Sequence, residues 1–133
     1  MHLPIVSDDI LLKHFIRGYF DGDGCFTYSI RKPNPKNREI NYRISAHWTI
    51  CCKTSSILLE MQKYFTSFGI KTNINYIKRD DMYNLTTSSR KEIIKIFNLL
   101  FHNCNYSLPR KYNKIKYYVN TEVSQIITDH RNA

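Results

Sequence analysis

Glycine is scarce in this sequence: four residues in 133, three of them inside one stretch, G-Y-F-D-G-D-G, Gly18 to Gly24. The fourth is Gly69, and alanine is scarcer still, at Ala46 and Ala133 alone. No apolar run approaches the roughly 20 residues of a membrane-spanning helix, and the opening M-H-L-P-I-V-S-D-D lacks the pattern of a secretory signal. A soluble, intracellular chain with no membrane partner is therefore expected. Cysteine occurs at Cys25, Cys51, Cys52 and Cys104 with no C-x-x-C pair, so zinc-finger spacing is excluded and reduced thiols are expected. Carboxylates are outnumbered by cations, 11 against 20, for a net charge of +9. No polybasic tail or basic amphipathic helix concentrates that charge, which favours nucleic acid over an anionic membrane as partner. A composition 42% hydrophobic and 23% charged is that of a folded chain, and the length suits one domain over 1–133 with a core of its own.

The pattern of residues predicts eight elements. A first helix starts with Ser7 as N-cap and Asp8 and Asp9 in its first turn, and runs to about Asp21. It is apolar on two sides: Leu12, Ile16, Tyr19 and Phe20 form one, and Leu11, Phe15, Gly18 and Gly22 the other. Period-2 alternation marks a strand over 25–32, and a second, cleaner one over 40–50, joined by the basic turn P-N-P-K-N-R. A helix from Thr54 or Ser55 stops at Gly69, and two short strands follow near 72–77 and 83–87. Ser89 to Glu92, S-R-K-E, reads as the capping box of a third helix. After the loop N-C-N-Y-S-L-P-R-K, one last helix uses Ile115, Val119, Val123 and Ile126. The order α-β-β-α-β-β-α-α implies an α+β fold, a four-stranded antiparallel sheet with its helices on one face.

The opposite sheet face would carry Thr27, Ser29, Arg31, Arg43, Ser45, His47, Thr49, Asn73 and Asn75. A merely solvated face usually carries carboxylates, and this one has none. Short hydrogen-bonding side chains with two arginines suit base edges in the DNA major groove, which admits a β-ribbon. Lys32 and Arg38 extend the basic surface into the turn. His14, His102 and His130 each stand alone and read as exposed or satisfied; only His47 falls on the DNA face.

Three readings compete for G-Y-F-D-G-D-G. A helix C-cap and turn explains Gly22 or Gly24 but not Gly18, which inside a helix costs about 1 kcal/mol. A calcium loop fails on spacing, since Cys25 follows Asp21 and Asp23 and no Glu closes the loop. In the third reading Gly18 and Gly22 let another helix approach closely, and the partner is the same helix of a second copy across a two-fold axis. Asp23 would then lie near that axis beside its twin, where two carboxylates repel unless a divalent cation sits between them. Such a cation under a cationic sheet suits phosphodiester hydrolysis.

Ile16 to Gly24, I-R-G-Y-F-D-G-D-G, resembles the motif of the LAGLIDADG homing endonucleases, and the element order resembles their αββαββα fold with its saddle-shaped sheet. Arg17 departs from the small residue common at its position. A chain with one such motif is expected to be a homodimer that binds double-stranded DNA and uses Mg²⁺ to cut both strands of a long, roughly palindromic target. The resemblance implies metal binding by Asp23 and by the carbonyl of Gly22, with Asp21 structural. A Gln-Lys type pair would be expected where Cys52 and Lys53 stand. In L-P-R-K-Y, Leu108 to Tyr112, Arg110 or Lys111 is the candidate for a cationic side chain near the metal; contact with phosphate is the other reading. The rival function is a non-cleaving binder, a maturase for intron RNA or a DNA-binding regulator.

Overall fold

The computed structural model describes residues 9–38, 41–101 and 109–132; within its helices, the side chains of residues 9–12 and 109 fall outside that description. The expected cap at Ser7, the Leu11 side chain, His102, Cys104 and Leu108 therefore lie outside the described residues. Helix α1 (Asp9–Asp23) runs straight into strand β1 (Gly24–Arg31). A 3-10 turn at Pro35–Asn37 leads to β2 (Arg43–Cys52), then come α2 (Ser55–Ser67), β3 (Asn73–Ile77) and β4 (Met82–Thr87). Three helices complete the chain: α3 (Arg90–Phe101), α4 (Pro109–Asn120) and α5 (Val123–Arg131). The strands form one antiparallel sheet in the order β1-β2-β4-β3.

Alternation decides which sheet face is covered. Phe26, Ala46, Trp48, Ile50 and Leu85 are buried under the helices, with Ile16 and Phe20 of α1, Phe65 of α2 and Ile93 of α3. Trp48 sits at the centre, stacked on Phe20 at 4.9 Å and edge-on to Phe65 at 5.7 Å. The stop at Gly69 is as expected. Gly69 has φ +74, its N–H bonds the Thr66 carbonyl and the Ile70 N–H bonds the Phe65 carbonyl, with buried Ile70 and Phe65 completing a Schellman end.

Four expectations need correction. α1 ends at Asp23 rather than Asp21, so Asp23 belongs to the last helical turn instead of following it. Glu92 does not close a capping box: its carboxylate accepts from the Lys71 N–H at 2.9 Å, while the Ser89 N–H turns to Thr87 Oγ1. The last helix is two, broken at Thr121 and Glu122, and α4 already begins at Pro109, a residue suited to a first helical turn. Gly24 is not needed for a left-handed turn; a Cβ there would lie 2.2 Å from the Phe20 ring and 2.6 Å from the Phe20 carbonyl.

The helix ends share one device. None of α1 to α4 has a basic residue in its own last turn. A cation from another element reaches each end instead. Lys111 of α4 donates to the carbonyls of Phe20, Asp21 and Gly24 at the end of α1 (3.1, 2.8 and 2.7 Å). Arg17 of α1, itself buried, donates to Leu100 of α3 at 3.4 Å. Arg90 of α3 donates to Tyr118 and Thr121 at the end of α4 (2.9 and 2.7 Å), which accounts for the break before α5. Lys95 reaches the Gly69 carbonyl just past α2 at 3.1 Å. Each cation meets carbonyls that lack intrahelical donors and the negative end of a helix dipole. α1, α3 and α4 thus hold one another in a closed cycle.

Candidate active site and nucleic-acid interface

The open sheet face is built by register. Thr27 pairs with His47, Ser29 with Ser45 and Arg31 with Arg43, and all six are exposed. Thr49 Oγ1 bonds Thr86 Oγ1 at 3.1 Å across to β4. Asn73 and Asn75 lie opposite Thr86 and Asn84. Cys25, Cys51, Asn84 and Thr86 join this face although sequence reasoning did not include them; the alternation around buried Leu85 in M-Y-N-L-T-T carries the signal for the last two. None of the four described strands contains Asp or Glu. Lys32, Arg38 and Lys53 are exposed beyond the strand ends, Arg38 in the left-handed region at φ +59. His14 and His130 are exposed as well.

At one end of this face stands the foot of α1. Gly18, Gly22 and Asp23 are exposed and Phe15 is half-buried. Among the described residues a Cβ on Gly18 or Gly22 would meet nothing within 4 Å, and neither has a positive φ, so none of those residues requires glycine at either position. Lys111 has three N–H donors and bonds three carbonyls, so its ammonium is directed into the α1–β1 junction; the Gly22 carbonyl is not among the three. Tyr19, one helical turn before Asp23, hydrogen-bonds Cys52. Burial and that bond push the Tyr19 phenol well above its ordinary range, with the Asp23 carboxylate adding to it. Burial raises the Cys52 thiol, but the Tyr19 bond and those around Thr54 outweigh it, so its pKa is lowered overall. Burial, then nearby Cys25, Asp80 and Asp23, raises Cys51.

Asp23 and the Gly22 carbonyl offer hard oxygen ligands, which fit a Mg²⁺-like ion better than a soft one. Among the described residues no three His, Cys, Asp or Glu side chains gather to hold a metal. The last turn of α1 carries Asp21 and Asp23, of which Asp23 is exposed, so a full coordination shell around Asp23 needs oxygens from elsewhere. Along the free edge of β1, a groove of about 460 Å³ is lined by Gly24, Cys25, Phe26, Thr27, Arg110, Lys111 and Lys114. No helix among the described residues is long and apolar enough to cross a membrane.

An α+β fold with a bare four-stranded sheet, and an acidic glycine-striped helix end beside it, has the architecture of the LAGLIDADG endonucleases. Residues 16–122 match the LAGLIDADG endonuclease family, and the chain belongs to it. Solved structures with the same fold include the archaeal intron-encoded homing endonuclease I-Vdi141I complexed with DNA, 18% identical at TM-score 0.66 over 84% of this chain and 66% of that one. I-CvuI, in complex with the I-CreI target in the presence of Mg and with the DNA not cleaved, is 19% identical at TM-score 0.63 over 91% and 76%. The group I intron-encoded I-CeuI, complexed with DNA, is 13% identical at TM-score 0.67 over 89% and 55%. This chain thus spans just under two thirds of the I-Vdi141I chain and about half of the I-CeuI chain. Among curated protein sequences none matches it.

Proposed function

We propose that this chain is a homodimeric, divalent-metal-dependent endonuclease that makes double-strand breaks in a long, roughly palindromic DNA target. The observation that carries this reading is the position of Asp23, exposed on the last turn of α1 between a bare glycine stripe and a carboxylate-free sheet face. Among the described residues nothing would crowd an Ala at Gly18 or Gly22, and helix interiors disfavour glycine by about 1 kcal/mol. A twin α1 packed against them supplies the missing reason and brings a second Asp23 to the same place. Asp23 and the Gly22 carbonyl of each chain would hold Mg²⁺, which when bound polarises the scissile phosphate and lowers the pKa of a bound water.

The chain's own residues then orient the DNA. Thr27, Ser29, Ser45, His47, Thr49, Asn73 and Asn75 present donors and acceptors to base edges, while Arg31, Lys32, Arg38 and Arg43 meet phosphate. Lys53, just past β2, and Arg110, in the first turn of α4, are exposed cations that would serve the cleavage site. Lys111 serves the site through the backbone, fixing the carbonyls on either side of Gly22 and Asp23. The non-cleaving reading, a maturase or regulator, draws support from Cys52, a thiol tied to Tyr19 where a water-ordering amide would be expected.

Incubation with Mg²⁺ and a randomised duplex library should enrich a discrete set of double-strand cuts, and Asp23→Asn should abolish them. If Asp23→Asn cuts as well as wild type, the metal assignment is wrong. Tight binding to structured RNA with no cutting of any duplex would favour the non-cleaving reading instead.

A further inference from the structure

The groove along the free edge of β1 has cationic groups on one wall and strand on the other. β1 is an edge strand of the described sheet, so one row of its backbone N–H and C=O groups lies outside that sheet's ladder. Cys25 and Thr27 belong to both the groove and the open sheet face, which makes the two surfaces continuous. The groove starts at Gly24, the residue after Asp23. Three cations line it, yet they are not equivalent. Lys111 is directed to the carbonyls of Phe20, Asp21 and Gly24 and has no N–H left for a ligand. Arg110 and Lys114, one helical turn apart on α4, are both exposed, and no salt bridge ties either to a carboxylate among the described residues. The Lys114 ammonium lies 5.8 Å from the Tyr28 ring centroid, close enough to aim the charge without neutralising it. None of the described lining residues is acidic.

We infer that Arg110 and Lys114 form a binding site for a DNA backbone phosphate in this groove, beside Asp23, and that Lys114 is a phosphate-contacting residue of the reaction. The inference rests on the endonuclease reading and divides the labour within α4. Lys111 holds the helix end in place, and its neighbours one before and three after meet the substrate. Arginine supplies a fork for two phosphate oxygens, and lysine a mobile point charge.

Equilibrium binding of the full chain to a mixed-sequence 30-base-pair duplex in EDTA, titrated from low to high salt, tests the assignment. Removing one cation that neutralises a phosphate should flatten the plot of log K against log salt by about 0.9 per chain. Arg110→Ala and Lys114→Ala should each show that flattening, and Lys114→Arg and Arg110→Lys should retain the wild-type slope. Lys111→Met should lower the thermal midpoint more than either Ala variant does. Unchanged slopes in both Ala variants, with wild type binding the duplex normally, would overturn the phosphate site and leave the endonuclease reading standing. A flattening in Lys111→Met equal to theirs would overturn the division of labour. Wild type that fails to bind duplex at all would overturn the endonuclease reading, and the site with it.

Discussion

Gly24 and Gly18 look alike in the sequence, yet different physics selects each. At Gly24 a methyl group would meet the Phe20 ring and carbonyl at 2.2 and 2.6 Å, and Phe20 cannot yield because it is stacked under Trp48. Gly24→Ala should therefore destabilise the fold by about 1–3 kcal/mol, the usual range for overpacking, and lower the thermal midpoint by several degrees. At Gly18 the space is open in the single chain. Gly18→Ala should raise the stability of the isolated chain by up to about 1 kcal/mol of helix propensity while weakening self-association. Thermal melts at low protein concentration, paired with sedimentation at high concentration, separate the two effects. A Gly18→Ala variant that melts lower and associates as tightly would refute the argument. The spacing of these glycines was legible in the sequence, and so was the candidacy of Asp23. The reason for Gly24 was not, since it depends on where Phe20 is held by a tryptophan of another strand.

At the scale of elements, strands and faces follow from alternation, because a two-residue period fixes which side chains go under the helices. The helix ends do not, because each is set by a cation distant in sequence. N-T-E-V gives no glycine or proline to announce the break between α4 and α5; Arg90 makes it. Arg17, an exception to the family's motif, is explained the same way by the end of α3. Lys111→Met should cost about 2 kcal/mol, because it removes charge-assisted bonds to a helix end. It should also raise the Mg²⁺ concentration needed for half-maximal cleavage at temperatures where the variant stays folded, a shift that mere destabilisation does not produce. α4 and α5 are further joined by Tyr117, whose hydroxyl donates to Asp129 at 2.5 Å, with Gln125 donating to the same carboxylate at 2.8 Å. The Tyr117 bond, then that of Gln125, holds the Asp129 carboxyl below its ordinary pKa, so this tie is complete above the unfolded value and is lost as pH falls through the folded one. The bond to Asp129 pushes Tyr117 up to about 12, so at the alkaline end the tie persists past pH 10 and fails only as pH rises through about 12. Asp129 should titrate low by carboxyl NMR, and Tyr117→Phe should return it toward the ordinary value; an unmoved Asp129 in that variant would remove the coupling.

For the whole molecule, the +9 charge does not all face a partner, since Arg17, Arg90, Lys95 and Lys111 are engaged at helix ends. Of the rest, Arg31, Lys32, Lys36, Arg38, Arg43, Arg110 and Lys114 lie along the sheet face, the hairpin and the β1 groove, opposite no carboxylate of the described strands, while Lys63, Lys91 and Lys116 are exposed on helices. That asymmetry suits a duplex laid across the sheet, but one sheet alone reads one half of a long target. The uncovered side of α1, with half-buried Phe15 and exposed Gly18 and Gly22, is the surface through which two sheets would join into one platform. Association and chemistry are then coupled in this proposal, because each chain brings one exposed Asp23 to the foot of α1 and no described cluster of three ligands completes a site alone. Gly22→Leu has open space in the single chain and should leave its helical content and melting intact. In the pair it would push the two α1 helices apart by a side chain's width, beyond the 8–10 Å or less at which helices pack. The expected result is a monomer by sedimentation at about 10 μM, with both double-strand cutting and single-strand nicking abolished in Mg²⁺. A monomeric Gly22→Leu that still cuts would mean that one Asp23 suffices, and the shared-metal arrangement would have to be abandoned. A dimeric Gly22→Leu that no longer cuts would move the interface elsewhere on the chain and leave Gly22 a role at the metal alone.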